Sequence, residues 1–119
     1  MMTTIKFFLA LFVIALCGCD ERASGPAGIS MVQSRQLVPA NTDLANVYNR
    51  SCRSCHTVVT TGAPLTGDAL AWAPIMDKGM TVLVDNVVNG YGGMPPLGLC
   101  MDCDVDQFEA LINFMAAPE

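Results

Sequence analysis

The chain has 119 residues, with 6 basic against 11 acidic side chains and a net charge of −5. That length holds one small domain plus short targeting or linker segments. The acidic balance argues against nucleic acid as a partner, and much of the 52% hydrophobic share sits at the start of the chain.

Residues Phe7 to Leu16 read FFLALFVIAL behind a single basic residue, Lys6. An apolar run of about ten residues is too short to span a bilayer and suits the h-region of a signal peptide. Leu16-Cys17-Gly18-Cys19 follows. A small residue and then a cysteine after an apolar run resembles a bacterial lipobox. On this reading residues 1–18 are a lipoprotein-type signal peptide and Cys19 is the lipidated first residue of the mature chain. Ordinary secretory cleavage nearby and an uncleaved anchor are the alternatives. Acylation at Cys19 would hold the protein at a membrane, because stable anchoring takes two or more lipid chains. Asp20 at the next position resembles a signal for retention at the inner membrane. Removing residues 1–18 takes away Lys6 alone and leaves a net charge of −6. Residues 19–40 contain Gly, Pro and Ser without a convincing period. They predict a flexible tether with a reach of about 25 Å.

The folded domain is expected over 41–119. Asn41 or Thr42 can cap a helix whose apolar face is Leu44, Val47 and Tyr48. That helix runs into Cys52-Arg53-Ser54-Cys55-His56. Residues 57–66 form a loop around Gly62 and Pro64. Asp68 to Met76 predicts a short helix carrying Trp72, with Pro74 as a kink or early-turn residue, and Lys78-Gly79 breaks it. A further helix opens at Thr81 with Val82, Leu83, Val84, Val87 and Val88, and ends at Asn89-Gly90. Tyr91 to Pro96 reads YGGMPP and cannot be regular structure. Asp104 caps the last helix, with Gln107 as its capping-box partner. Phe108, Leu111, Ile112 and Met115 make the apolar face, and Pro118 ends the helix. The expectation is an all-α domain with little core of its own. A large apolar prosthetic group would supply the missing mass.

The C-x-x-C-H run at Cys52 to His56 is the attachment pattern of a c-type haem. Two thiols one helical turn apart span the two vinyl groups on one porphyrin edge. The next residue, His56, is then carried under the iron. An accidental pair of cysteines beside a histidine is the bland alternative, but His56 is the only histidine in the chain. The opposite axial position needs a ligand too. Met1, Met2 and Met31 are excluded by location. Met76, Met80 and Met115 fall on or beside predicted helices, where methionine usually fills core. Met101 is pinned between two cysteines. Met94 stands alone on a loop, with glycines that permit close approach to a flat ring and two prolines that stiffen it. His56 and Met94 are therefore the predicted axial ligands of one covalent haem c. His/Met ligation raises the iron potential, suits electron transfer and leaves no open site for dioxygen or peroxide.

Cys100-Met101-Asp102-Cys103 has three readings: a disulfide, a redox-active dithiol, or half of a four-cysteine zinc site with Cys52 and Cys55. With haem on the first pair, the second pair is free to oxidise.

The C-x-x-C-H run, Gly62-Ala63-Pro64, Ala71-Trp72-Ala73-Pro74, Lys78-Gly79-Met80, Asn89-Gly90-Tyr91, Gly93-Met94-Pro95-Pro96 and Cys100-Met101-Asp102-Cys103 together resemble the cytochrome c₅ group of class I c-type cytochromes. The resemblance covers 42–117. It implies the class I cytochrome c fold, with the N- and C-terminal helices crossing. It implies thioethers at Cys52 and Cys55, axial His56 and Met94, and a disulfide between Cys100 and Cys103. It also places the backbone near Pro64 against the imidazole N–H of His56, and Trp72 by a haem propionate with its indole N–H as donor. One departure is Leu97, where members often carry a basic residue after M-P-P. The rim of the haem edge is then expected to be mostly apolar, with Leu97 in it.

The function expected from these residues is single-electron transfer in the bacterial periplasm, not catalysis. The partners would be respiratory complexes, terminal oxidases or reductases, with the protein tethered to a membrane through Cys19. The rival readings are a haem peroxidase or gas sensor whose Met94 leaves the iron, and a small structural zinc lipoprotein.

Overall fold

The computed structural model describes residues 28–118. The signal segment, Cys19 and the first part of the tether lie outside the described residues. Helix α1 spans Met31–Gln36, α2 Thr42–Val47, α3 Arg53–His56, α4 Ala69–Met76, α5 Met80–Asn89 and α6 Val105–Ala116. There is no strand among the described residues, only an isolated bridge between Tyr91 and Met94.

Helices α1, α2, α4 and α6 start where a side chain accepts from an otherwise orphaned backbone N–H. Asn41 caps α2 through Leu44 N–H at 2.9 Å, and Asp68 caps α4 through Ala71 N–H at 3.2 Å. At α6 the box is reciprocal: Gln107 N–H donates to Asp104 at 2.8 Å and Asp104 N–H to Gln107 at 3.0 Å. Gly90 ends α5 at φ 82°, ψ 155°, a region that a side chain would strain. A Cβ there would also meet the Met94 carbonyl oxygen at 2.9 Å. Pro74 lies inside α4, where it lacks a donor for the preceding turn. Between α2 and α3 the chain stays helical but widens into a π-helical turn at Tyr48–Cys52. The cysteine motif therefore starts on a local change of helical pitch.

The core gathers Val47 and Tyr48, Trp72 of α4, Leu83, Val84 and Val87 of α5, and Phe108, Leu111, Ile112 and Met115 of α6. The Tyr48 ring meets the Phe114 ring edge-on at 5.1 Å between centroids. Tyr48 is fully buried, and its hydroxyl donates to Thr66 Oγ1 at 3.0 Å. A buried hydroxyl needs such a partner.

One expectation is corrected. The stretch read as tether is not featureless over its described part. Ser30 and Gln33 form a capping box that starts α1, and Ser34 is fully buried. The signal is present in the sequence as Ser30-x-x-Gln33. Its apolar period is missing because the helix is one and a half turns long and docks through scattered contacts at Met31, Ser34 and Arg35 instead of an apolar stripe.

Leu111 is 2% exposed in the centre of this core. Leu111→Ala is expected to lower the unfolding free energy by about 2–5 kcal/mol, measured by denaturant titration of the haem-loaded protein.

Candidate haem-binding site

Cys52, Cys55 and His56 lie within one turn at the start and end of α3. Cys52 and Cys55 are free thiols, each half-buried. His56 is buried, and its Nδ1 lies 2.8 Å from the Pro64 carbonyl oxygen. A carbonyl can only accept, so Nδ1 carries the proton and Nε2 keeps its lone pair. Burial pushes the imidazole below its ordinary pKa, and the Pro64 hydrogen bond pulls it part of the way back. The ring is therefore neutral at pH 7, as a metal ligand must be.

The same loop holds the rest of His56. Thr66 N–H donates to the His56 carbonyl at 2.7 Å. Trp72 stacks on the imidazole at 5.8 Å between centroids and 26° between planes. Its indole N–H donates to the Leu65 carbonyl at 2.9 Å. This buried donor is thereby satisfied by an acceptor on its own scaffold.

Met94 sits in a closed turn. Met94 N–H donates to the Tyr91 carbonyl at 2.9 Å and Tyr91 N–H to the Met94 carbonyl at 3.1 Å. Met94 packs against the core, as do Met76, Met80 and Cys52. Gly98 lies beneath it, where an added Cβ would reach Met94 Cε at 3.2 Å. Met115 is buried core, and Met101 is 78% exposed. Leu97 also packs against the core; the exposed large apolar side chains of this region are Tyr91, Leu99 and Met101. Leu97 has φ 59° and is partly buried, while Leu99 is 62% exposed.

Cys100 and Cys103 are joined as a disulfide, with their Cα atoms 5.4 Å apart. Sulfurs bonded to each other offer no thiolate, so the four-cysteine zinc site is not assembled. Arg50 Nη2 lies 3.3 Å from Cys100 Sγ and 2.8 Å from Asp102. This clamp spans from the turn before the haem motif to the disulfide, and sequence reading missed it. The charge pair alone could not reveal a contact across 52 positions.

A haem c fits the donor set. Two free thiols share a helical turn with an imidazole whose Nε2 is available. Ser51 Oγ, buried beside Cys52, has no partner of its own. A surface groove of about 540 Å³ touches Trp72 and Met76, but none of the cysteines, His56 or Met94 lines it; it is a neighbour of the site.

A family profile described as cytochrome C oxidase, cbb3-type, subunit III matches residues 39–115, more than half of the chain. The chain belongs to this family of class I c-type cytochromes. Cytochrome c5 of Azotobacter vinelandii is 34% identical over 73 residues, covering 60% of this cytochrome and 88% of that protein. Cytochrome c-555 of Chlorobaculum thiosulfatiphilum is 50% identical over 46 residues, and the match spans 54% of its length. A chain from the crystal structure of an electron transfer complex of nitrite reductase with cytochrome c superposes with a TM-score of 0.55 at 32% identity, over 64% of this cytochrome and 93% of that chain.

Two measurements probe the site. Burial, more than any neighbour, pushes the Cys52 thiol up to about 11. In the folded haem-free cytochrome, alkylation of Cys52 by iodoacetamide should therefore keep rising about tenfold per pH unit past pH 9, whereas an ordinary thiol levels off near 8.5. The hydrogen bond from Arg50 holds the Asp102 carboxyl below its ordinary range. A depressed carboxylate stabilises the fold above its unfolded pKa and loses that contribution as pH falls through the folded value. The melting temperature of Asp102→Asn should thus fall slightly below wild type at pH 7, and the gap should close in acid and in high salt.

Proposed function

We propose that the protein is a monohaem c-type cytochrome that passes single electrons between redox proteins. The observation that carries this reading is the His56 turn: two free thiols and a neutral imidazole, with Nδ1–H tied to Pro64 and Nε2 left to bind iron. When bound, haem c supplies a one-electron Fe(III)/Fe(II) couple. Cys52 and Cys55 would hold it by thioethers. His56 would ligate through Nε2, with its ring plane set by Pro64 and Trp72. Met94 would take the opposite position, supported by the Tyr91–Met94 turn and by the Pro95-Pro96 pair after it. Ligands held on both sides move little between oxidation states, which suits electron transfer over substrate turnover.

The proposed partners are respiratory redox proteins, a terminal oxidase or a reductase. The solved neighbour comes from a complex with nitrite reductase, and exposed Leu99 and Met101 lie five and seven residues from Met94. The proposed location is the periplasmic side of a bacterial membrane, with Cys19 as lipid anchor. The apolar run before Cys19 supports that reading, and no helix among the described residues is long and apolar enough to cross a membrane. The family description favours a second reading, a module of a larger oxidoreductase. Co-purification of the native protein with membrane subunits would distinguish it from a free carrier.

The exported chain, matured in a host that attaches haem c, tests the assignment. Haem should resist acid–acetone extraction, and the ferric spectrum should show a weak far-red sulfur-to-iron band that Met94→Ala abolishes. Extractable haem would end the c-type reading. Carbon monoxide binding to the reduced wild-type protein without denaturant would favour a sensor or peroxidase.

A further inference from the structure

Helix α1 lies outside the matched stretch 39–115, yet it grips the backbone that holds His56. Ser34 is fully buried, and its hydroxyl donates to the His56 carbonyl at 3.4 Å, the same oxygen that receives Thr66 N–H. The Arg53 guanidinium donates to the Arg35 carbonyl. Val59 N–H donates to Met31 Sδ at 3.5 Å. Ile29 and Leu37 close over Gly67, where an added Cβ would come within 2.9 and 2.6 Å of their Cδ1 atoms. A helix of six residues has no stability of its own in water, so its order depends on this docking. Every one of these contacts falls on residues 53–67, the arm that carries His56, Pro64 and Thr66.

We propose that residues 29–37 are a strap that fixes the main chain of His56 and keeps water from the histidine side of the haem, with Ser34 as a positioning residue. The proposal rests on His56 being the iron ligand. Ferric haem carries one more positive charge than ferrous haem, so water near it favours the ferric form and lowers the potential. A closed strap therefore holds the potential up.

The test uses the full haem-loaded chain. Ser34→Ala removes the hydroxyl. Ile29→Ser with Leu37→Ser loosens the strap without adding charge. Val32→Ser, at a position 67% exposed on the same helix, is the control. Redox titration reads the midpoint potential, and hydrogen exchange reads the Thr66 amide. The first two variants should lower the potential and speed Thr66 exchange about tenfold, the scale of one lost hydrogen bond. The control should do neither. If proteolysis shows residues 28–38 released in the double variant while potential and exchange stay at wild-type values, the strap is overturned. If the wild-type protein lacks a His/Met spectrum, the ligand assignment fails and the strap falls with it.

Discussion

The hydrogen bond between His56 Nδ1 and the Pro64 carbonyl fixes three things at once. It selects the tautomer, sets the plane of the ring and ties the helical cysteine turn to the loop that follows. The next two residues extend the same arm. Leu65 receives the indole N–H of Trp72, which stacks on the imidazole. Thr66 donates its N–H to His56 and receives the Tyr48 hydroxyl. Three consecutive residues thus connect His56 to the π-helical turn, to α4 and to its own backbone. Of the arm's apolar side chains, Leu65 is buried in the core, while Val59 is exposed. The arm's order comes from hydrogen bonds formed where water is excluded, and those are costly to leave unmade.

Much of this was legible because it rests on local rules. The caps at Asn41, Asp68 and Asp104 follow from short polar side chains that precede apolar periods. The helix end at Asn89-Gly90 follows from a backbone conformation that glycine alone tolerates well. Met94 stood out because a loop of glycines and prolines has little reason to hold a thioether for packing alone. What stayed hidden depends on distance. The 50-residue separation of Arg50 and Cys100 leaves no periodic trace, and neither does the choice of Leu65 as acceptor for Trp72. Helix α1 is the exception: its capping box was readable, but a single turn and a half gives no hydrophobic period to confirm it. The backbone at Leu97 was hidden for another reason: a leucine at positive φ leaves no mark in the sequence.

That departure bears on how Met94 is held. Leu97, Gly98 and Leu99 have φ values of 59°, 55° and 65°. Glycine accepts this conformation freely, whereas each leucine resists it by about 1–2 kcal/mol. Strain of this kind persists only where the surroundings over-determine the backbone. Here they do so from both ends. Upstream, the paired Tyr91–Met94 hydrogen bonds and the tight contact at Gly90 leave the chain no room to relax. Downstream, the Cys100–Cys103 disulfide and the Arg50–Asp102 clamp fix where the chain must arrive. Met94 is therefore positioned by a loop that cannot easily shift, as His56 is positioned by its arm. A haem held by both residues, as proposed, would change shape little when its charge changes. On that reading the rigidity of the two flanking segments, more than the size of the core, is what this small domain would contribute to electron transfer.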